Sequence, residues 1–408
     1  MCGIFGYVAN GHVSPELVVE GLRRLEYRGY DSWGIASLNA GQDVQITKAV
    51  GKISKTSEDQ LGKLREPATL AMGHTRWATH GEPNETNAHP HRSQSGRIIV
   101  VHNGIIENHR ELRNLLESEG YVFRSQTDTE VIAHLLDRNL RYTGKFDEAL
   151  SLTVLELKGA FGLAVMDIEQ PDRLFAVRLG SPLVVGVDEG RCLISSDANA
   201  LAAYTKQVIY LDDGEWAEVT REGVTTYDFH RGATGKIAEQ IEIDVAASEL
   251  GSFRHYMLKE MYDQPESLRN ALRGRLQRSE ATVRLAGLDD LGERYRPERV
   301  KILACGSSWH AGLVGRYFFE ELARMPTEVE YASEFRYRNA VIEPGTLVIA
   351  MSQSGETADT LAGLRESKRR GAQALGVVNV VGSSIARACG RGVYLHAGPE
   401  CGVAATKS

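Results

Sequence analysis

The chain opens MCGIFGYVAN, with a cysteine directly behind the initiator methionine. A small residue at the second position favours trimming of Met1, which would leave Cys2 carrying both a thiol and a free α-amine. A thiol of pKa about 8.5 is only slightly ionised near neutral pH, so a nucleophilic cysteine needs a base or an electropositive setting. An α-amine of pKa about 7.7–8.0 is roughly a quarter neutral at that pH, against about one in a thousand for a lysine amine. A terminal Cys2 therefore supplies its own near-neutral base.

Three further stretches carry side chains suited to one substrate. GHTRWATHG, residues 73–81, places Arg76, Trp77, Thr79 and His80 in a glycine-bounded loop leaving a strand, and arginine offers the planar fork that grips a carboxylate in two places. VHNGIIEN, residues 101–108, puts Asn103 and Gly104 after a strand, where an amide and a glycine N–H can converge on a developing oxyanion; Asn-Gly is also a common turn. Asp128 can bind an ammonium group or simply favour a helix dipole. Thiol, guanidinium, oxyanion donors and carboxylate together suit an amino acid with a side-chain amide. The histidines at 74, 80, 89 and 91 lack acidic or thiolate partners at ligand spacing, so neither a metal nor any other cofactor is expected.

In the second half, ACGSSWHAG and MSQSGETADT each follow a strand and precede a helix, so hydroxyls and backbone N–H groups collect at two helix N-termini, ready for an anion. Neither is a P-loop, and no G-x-G-x-x-G dinucleotide fingerprint is present.

The elements that must hold these residues read in three parts. GIFGYVA, WGIASLN, VQITKAV, TLAMGHTRWA and RIIVVHN have the β-branched and aromatic content of buried strands. Two helices follow: NHRELRNLLESEG, with Asn108 and Glu111 expected to form a capping box and Gly120 as stop, and TDTEVIAHLLDRNL, with Thr127 and Glu130 expected as a second capping box and Asp128 in the first turn. AFGLAVMDI, RLFAVRL, PLVVGVD, CLISSD and QVIYLDDGEWAEV complete an antiparallel sandwich flanked by helices. Charged, Arg-rich helical sequence over about 229–299 is expected to connect the domains. From 300 onward, strand, Ser/Gly loop and helix alternate as in a parallel α/β sheet.

The 408 residues exceed what one growing core accommodates, so two domains are expected. A net charge of −7 argues against a nucleic-acid binder. The five cysteines are scattered without a C-x-x-C pair, a reduced cytosolic pattern. No basic-then-apolar leader precedes Cys2 and the apolar runs are too short to span a bilayer, so a soluble, cytoplasmic protein without membrane contact is expected.

MCGIFGY, RRLEYRGYDSWGIA, GHTRWATHG, HNGIIENH and TDTE resemble, in order and spacing, the class II glutamine amidotransferases, which are N-terminal-nucleophile hydrolases. RLEYRGYDS and the whole second half narrow the resemblance to the glutamine:fructose-6-phosphate aminotransferases. It implies an αββα glutaminase sandwich over 2–228, a helical linker over 229–299, and a flavodoxin-like sugar isomerase (SIS) domain over 300–408. It further implies that Cys2 attacks the glutamine amide with its α-amine as base, through a water. Asn103 and Gly104 would hold the oxyanion, Arg76 the α-carboxylate and Asp128 the α-ammonium, while Trp77, Thr79 and His80 shape a closing loop.

On the SIS side the resemblance assigns the phosphate of fructose 6-phosphate to Ser352, Gln353, Ser354 and Thr357, and the sugar to Cys305, Gly306, Ser307, Ser308 and Val403. Serine at 307 replaces the usual threonine and keeps its hydroxyl. Alanine at 405 replaces a frequent serine and removes one sugar contact. The implied reaction converts fructose 6-phosphate and glutamine into glucosamine 6-phosphate and glutamate, in a homodimer; the alternative is a sugar-phosphate-sensing regulator with a glutamine-binding front domain. The family's second SIS domain and tail would hold the acid/base Glu, ring-opening His and Schiff-base Lys, and Lys407 matches no motif for that lysine. The sequence ends GPECGVAATKS, where a loop should lead into a helix, so this stretch is expected to be a fragment of a longer product. Alone, it is expected to hydrolyse glutamine without making glucosamine 6-phosphate, its second half weakened by an unfinished core.

Overall fold

The computed structural model describes residues 2–39, 43–57, 60, 62, 64, 66–241, 250–277, 280–288 and 296–408. They form two compact units, Met1–Val245 and Ala246–Ser408.

In the first unit the order is β1 (Gly3–Val13), α1 (Glu16–Arg24), β2 (Ser32–Asn39), β3 (Val44–Val50), β4 (Ala68–Arg76), β5 (His91–Arg92), β6 (Ile98–Ile106), α2 (His109–Ser118), α3 (Thr129–Thr143), α4 (Phe146–Glu156), β7 (Gly159–Asp167), β8 (Arg173–Leu179), β9 (Val184–Asp188), β10 (Arg191–Ser195), α5 (Ala198–Leu201), β11 (Gln207–Tyr210), β12 (Glu215–Thr220), β13 (Val224–Asp228) and β14 (Glu239–Gln240). The strands make an eight-stranded sheet, β14-β11-β9-β10-β1-β4-β2-β3, and a six-stranded sheet, β13-β12-β8-β7-β6-β5.

Strand alternation explains the layering. Ile4 and Val8 of β1 point between the sheets, where they meet a core containing Ile99, Val101, Ala164, Met166 and Ala176. Phe5 and Tyr7 point the other way and pack with Val18, Val19 and Leu22 of α1. On the far side Val100, Leu163, Val165 and Val177 pack with Leu112, Leu116, Val131 and Leu135 of α2 and α3. Period-two sequence thus builds helix, sheet, sheet and helix layers, each buried aliphatic contributing about 1.5–3 kcal/mol.

The two expected capping boxes do not form. Asn108 precedes α2 but makes no side-chain cap bond; its amide donates to the Glu156 carbonyl (2.9 Å) and accepts from the Lys158 N–H (2.9 Å). Asp128, rather than Thr127, stands at the N-cap of α3. The Glu130 carboxylate accepts from the N–H groups of Arg124 (2.9 Å) and Ser125 (2.6 Å) and from the Ser125 hydroxyl (2.7 Å). The backbone amides of Arg124 and Ser125 before α3 lie outside any strand, and they take this carboxylate instead of the helix start.

The second unit contains α6 (Tyr256–Leu272), β15 (Leu276–Gln277), β16 (Thr282–Val283), β17 (Arg299–Ala304), α7 (Gly306–Leu322), β18 (Thr327–Tyr331), α8 (Ala332–Tyr337), β19 (Thr346–Ser352), α9 (Ala358–Arg369), β20 (Gln373–Val378), α10 (Ser384–Cys389) and β21 (Gly392–Tyr394). Within 229–299 the helical sequence condenses into α6, while Glu239–Gln240 pairs with β11 in the first unit. The sheet order is β18-β17-β19-β20-β21 with every pair parallel. One face buries Leu303, Phe335, Val348, Leu361 and Leu364, whereas the other buries Val300, Ile302 and Ile349. Chain order reverses direction between β17 and β19, and the crevice beyond the carboxyl ends of such strands is where open α/β sheets take ligands.

Candidate active site

Cys2 leads into β1, flanked by β4, and the loop after β4 folds over it. The Cys2 sulfur accepts from the Trp77 N–H at 3.2 Å. Cys2 is half-buried, and desolvation pushes its thiol up while the Trp77 N–H lowers it only in part. A neutral thiol follows, so attack requires a base at the moment of reaction.

The Asn103 amide donates to the Cys2 carbonyl at 3.0 Å. Gly104, beside it on β6, has φ +129°, and a Cβ there would lie 1.9 Å from the Ala160 carbonyl oxygen, so only glycine fits. Arg76 is almost fully buried; its Nη2 donates to the carbonyls of His80 and Gly81, and its Nη1 to that of Glu82 at 3.3 Å. The guanidinium thus shapes the 80–82 turn and keeps Nε and one Nη1 hydrogen for a ligand. The Asp128 carboxylate accepts from the Ile106 N–H at 2.8 Å. Arg76 and Asp128 act in opposite directions on the Cys2 thiol, the first lowering and the second raising its pKa, as expected of charges gathered at one site.

The remaining loop residues are peripheral. Trp77 is 42% exposed and meets the Tyr30 ring edge-on at 5.2 Å; Thr79 is exposed; the His80 ring lies 5.0 Å from that of His109. The proposed loss of Met1 concerns a residue outside the described ones.

Sequence reasoning passed over two supports. Asp31 accepts from the Ala78 N–H (2.8 Å) and its own N–H donates to the Arg76 carbonyl (3.0 Å), pinning the start of the loop; the RGYDS stretch was its signal. The second is a buried column of histidines. His74 and His89 stack at 4.1 Å between ring centres, with His91 at 4.9 Å and His102 at 6.5 Å from His89. Burial holds His74 down at about 3 and lowers His89, His91 and His102 as well, so all four are neutral.

In the second unit the two Ser-rich loops flank the switch between β17 and β19. Cys305 and Thr357, the N-cap residues of α7 and α9, make no side-chain cap bond, which leaves first-turn N–H groups of both helices to a ligand. Ser352 accepts from the Gly355 N–H (3.0 Å) and pairs with the Thr357 hydroxyl (2.9 Å); Ser354 accepts from the Glu356 N–H (3.1 Å). Gly355 has φ +65°, and a Cβ would come 1.9 Å from the Ser383 hydroxyl oxygen. The Gln353 carbonyl accepts from the Asn379 N–H at 3.1 Å. Cys305 accepts from the Thr360 hydroxyl at 3.8 Å, and Ser307 from the Ala405 N–H at 3.2 Å. Gly306 and Ser308 lie in the first turn of α7, whereas Val403 is 74% exposed on the terminal stretch.

Glu356 escaped sequence reasoning: its carboxylate takes the N–H (2.8 Å) and hydroxyl (2.6 Å) of Ser384. So did Glu260, which accepts from the N–H groups of Cys401 and Gly402, both at 2.7 Å.

Among the described residues no helix is long and apolar enough to cross a membrane. The glutamine amidotransferase domain family matches residues 33–232 and the SIS domain family matches residues 295–408. The chain is 46% identical over its whole length to a glutamine–fructose-6-phosphate aminotransferase [isomerizing] of Chlorobaculum tepidum, covering 67% of that protein. It is 48% identical, again over its whole length, to that of Thermus thermophilus, covering 66% of it. Among solved structures, the C-terminal domain of glucosamine-fructose-6-phosphate aminotransferase from Francisella tularensis is 40% identical, with a TM-score of 0.36, over 39% of this chain and 45% of that one. The chain thus spans about two thirds of the length of the curated relatives it matches.

Proposed function

We propose, for a chain that belongs to the glutamine–fructose-6-phosphate aminotransferase family, that residues 2–228 act as its glutaminase and residues 300–408 bind the sugar phosphate, joined by 229–299. The observation that carries the first half is the gathering of the Cys2 thiol, the Asn103 amide and the Arg76-held loop at one point.

In this reading the Cys2 sulfur attacks the side-chain amide carbon of glutamine, and the C–S bond forms as the thiol proton passes through a water to the α-amine. Arg76 and Asp128 hold opposite charges of the amino-acid zwitterion, which sets the amide over the sulfur. Asn103 Nδ2 and the Gly104 N–H stabilise the oxyanion, each donor worth about 3 kcal/mol. Ammonia leaves with the returned proton, and water releases glutamate from the thioester. The raised thiol favours this base-assisted route over a preformed thiolate. Trp77, Thr79 and His80 close over the bound amino acid.

In the second unit Ser352, Gln353, Ser354 and Thr357 take the phosphate of fructose 6-phosphate, with Cys305, Gly306, Ser307, Ser308 and Val403 around the sugar. The uncapped N-termini of α7 and α9 support this reading. The family's whole reaction then joins the halves: ammonia is passed to fructose 6-phosphate, giving glucosamine 6-phosphate and glutamate. A purely regulatory sensor would have no use for the thiol and oxyanion donors. Exposed Val314, Tyr317, Phe318 and Leu322 on α7 support a homodimer, and five free cysteines support a reducing, cytoplasmic setting.

The direct test incubates the purified chain with glutamine and follows glutamate and ammonia, then locates a glutamine-shaped electrophile by peptide mapping. Label on the N-terminal peptide, with Met1 absent from the intact mass, is the expected result. Label on Cys305 would remove the assignment.

A further inference from the structure

We propose that His74 is a positioning residue that fixes the orientation of the Asn103 side-chain amide, so that Nδ2 and not Oδ1 faces Cys2. The inference rests on the glutaminase reading above and deepens it by naming what holds the oxyanion donor.

His74 comes from β4 in one sheet and Asn103 from β6 in the other. The His74 Nε2 lies 2.9 Å from the His102 carbonyl oxygen and 3.0 Å from the Asn103 amide. A carbonyl can only accept, so Nε2 carries the proton, and the amide atom facing the same nitrogen must also be an acceptor. That atom is Oδ1, which turns Nδ2 to the opposite side. There the Cys2 carbonyl, another obligate acceptor, receives it at 3.0 Å. Two groups of fixed polarity thus define one rotamer of Asn103 from both ends, independent of any choice between amide oxygen and nitrogen.

The proton on Nε2 is itself held in place. Burial keeps the ring neutral, with its pKa down at about 3, so it has one N–H only, and Nδ1 has no partner in the interior. The stacked His89 ring at 4.1 Å, tilted by 24°, fixes its plane. His89 is locked in turn. Its Nδ1 accepts from the His102 N–H (3.3 Å), so its Nε2–H donates to the Thr129 hydroxyl (3.2 Å), which donates to His102 Nδ1 (2.9 Å). A backbone amide therefore sets the tautomers of His89 and His102, the ring stacked on His74 and the ring whose own carbonyl His74 meets. Polar rings buried between apolar sheets are costly, the more so with His74 Nδ1 and His102 Nε2 left without a partner; what they deliver is one donor at one place.

The test compares glutamine hydrolysis by the full chain carrying His74→Leu, His74→Gln, His74→Asn, Asn103→Ala and the Leu/Ala double substitution. Gln reaches the Nε2 position with an N–H and Asn does not. His74→Leu and His74→Asn are expected to lower kcat about 10²-fold with the glutamine KM within about threefold, and His74→Gln to recover about tenfold of the loss. The double variant is expected to fall no further than Asn103→Ala alone, because the histidine acts through the amide. Alkylation of Cys2 by iodoacetamide, which builds no oxyanion, should proceed at the wild-type rate in all folded variants. Should His74→Leu not fold, the Gln and Asn pair decides by the same criterion. Wild-type kcat in His74→Asn, or losses that add to that of Asn103→Ala, would overturn the proposal while leaving the glutaminase reading intact. Full activity in Asn103→Ala would instead overturn that reading.

Discussion

The two units place chemistry differently. In the first, a side chain from one sheet reaches a side chain of the other, with Arg76 and Asn103 on strands β4 and β6, Cys2 just before β1 and Asp128 at the start of α3. In the second, loop hydroxyls at the rim of a single parallel sheet bond to loop amides, and one carboxylate bolts the loop to the start of α10. Breaking an amide bond needs a donor held to a fraction of an ångström where charge develops. Holding a phosphate needs several donors around a dianion that accepts on three oxygens, which a loop at a helix start provides.

The largest expected effect isolates the first unit. Cys2→Ala should lower glutamine hydrolysis about 10⁴-fold or more while fructose 6-phosphate binding, followed by calorimetry, stays unchanged; a parallel loss in both would break the separation.

Next in size is a difference in acid stability. His74, His89, His91 and His102 are held neutral below their ordinary value in the folded first unit and protonate near pH 6.5 when unfolded. The unfolded state then binds more protons, so stability falls as pH drops below about 6.5, by up to about 1.4 kcal/mol per pH unit for each histidine, and for His74 the loss continues to about pH 3. Urea midpoints read by hydrogen exchange, unit by unit, from pH 7 to 5 should move for the first unit. Equal shifts in both would contradict the neutral column.

Arg76→Ala and Asp128→Ala sharpen the contrast further. Each should raise the glutamine KM about 10²-fold with sugar-phosphate affinity retained. Smallest is the rim: Ser354→Ala or Thr357→Ala should weaken fructose 6-phosphate about 3–10-fold, the scale of one hydrogen bond, with glutamine kcat unchanged.

The sequence displayed the candidate residues because each sits in a local pattern: Cys2 by its position, Asn103–Gly104 as a dipeptide expected after a strand but found within β6, Ser352–Thr357 between strand and helix. Strand periodicity likewise carried the sandwich, since Ile4 and Phe5 face opposite layers. What stayed hidden depends on partners distant in the chain. Glu130 looked like a capping residue because the reading was local, yet the backbone amides of 124 and 125 claim it. His74 and His89 looked like part of a failed metal set, since their hydrogen bonds reach His102, Asn103 and Thr129, partners that no spacing rule connects to them. Asp31 and Glu356 hold loops through bonds spanning 47 and 28 residues.

The central place of β1 bears on how the protein is made. Its partners in the eight-stranded sheet are β4 and β10, and Phe5 pairs with Ser195. At about 5–20 residues per second of synthesis, on the order of ten to forty seconds pass between the emergence of the amino terminus and that of Ser195. Throughout that interval the first strand lacks one neighbour and the terminus stays open to processing enzymes. For the proposed trimming of Met1, that interval is the one that precedes the pairing of β10 along β1.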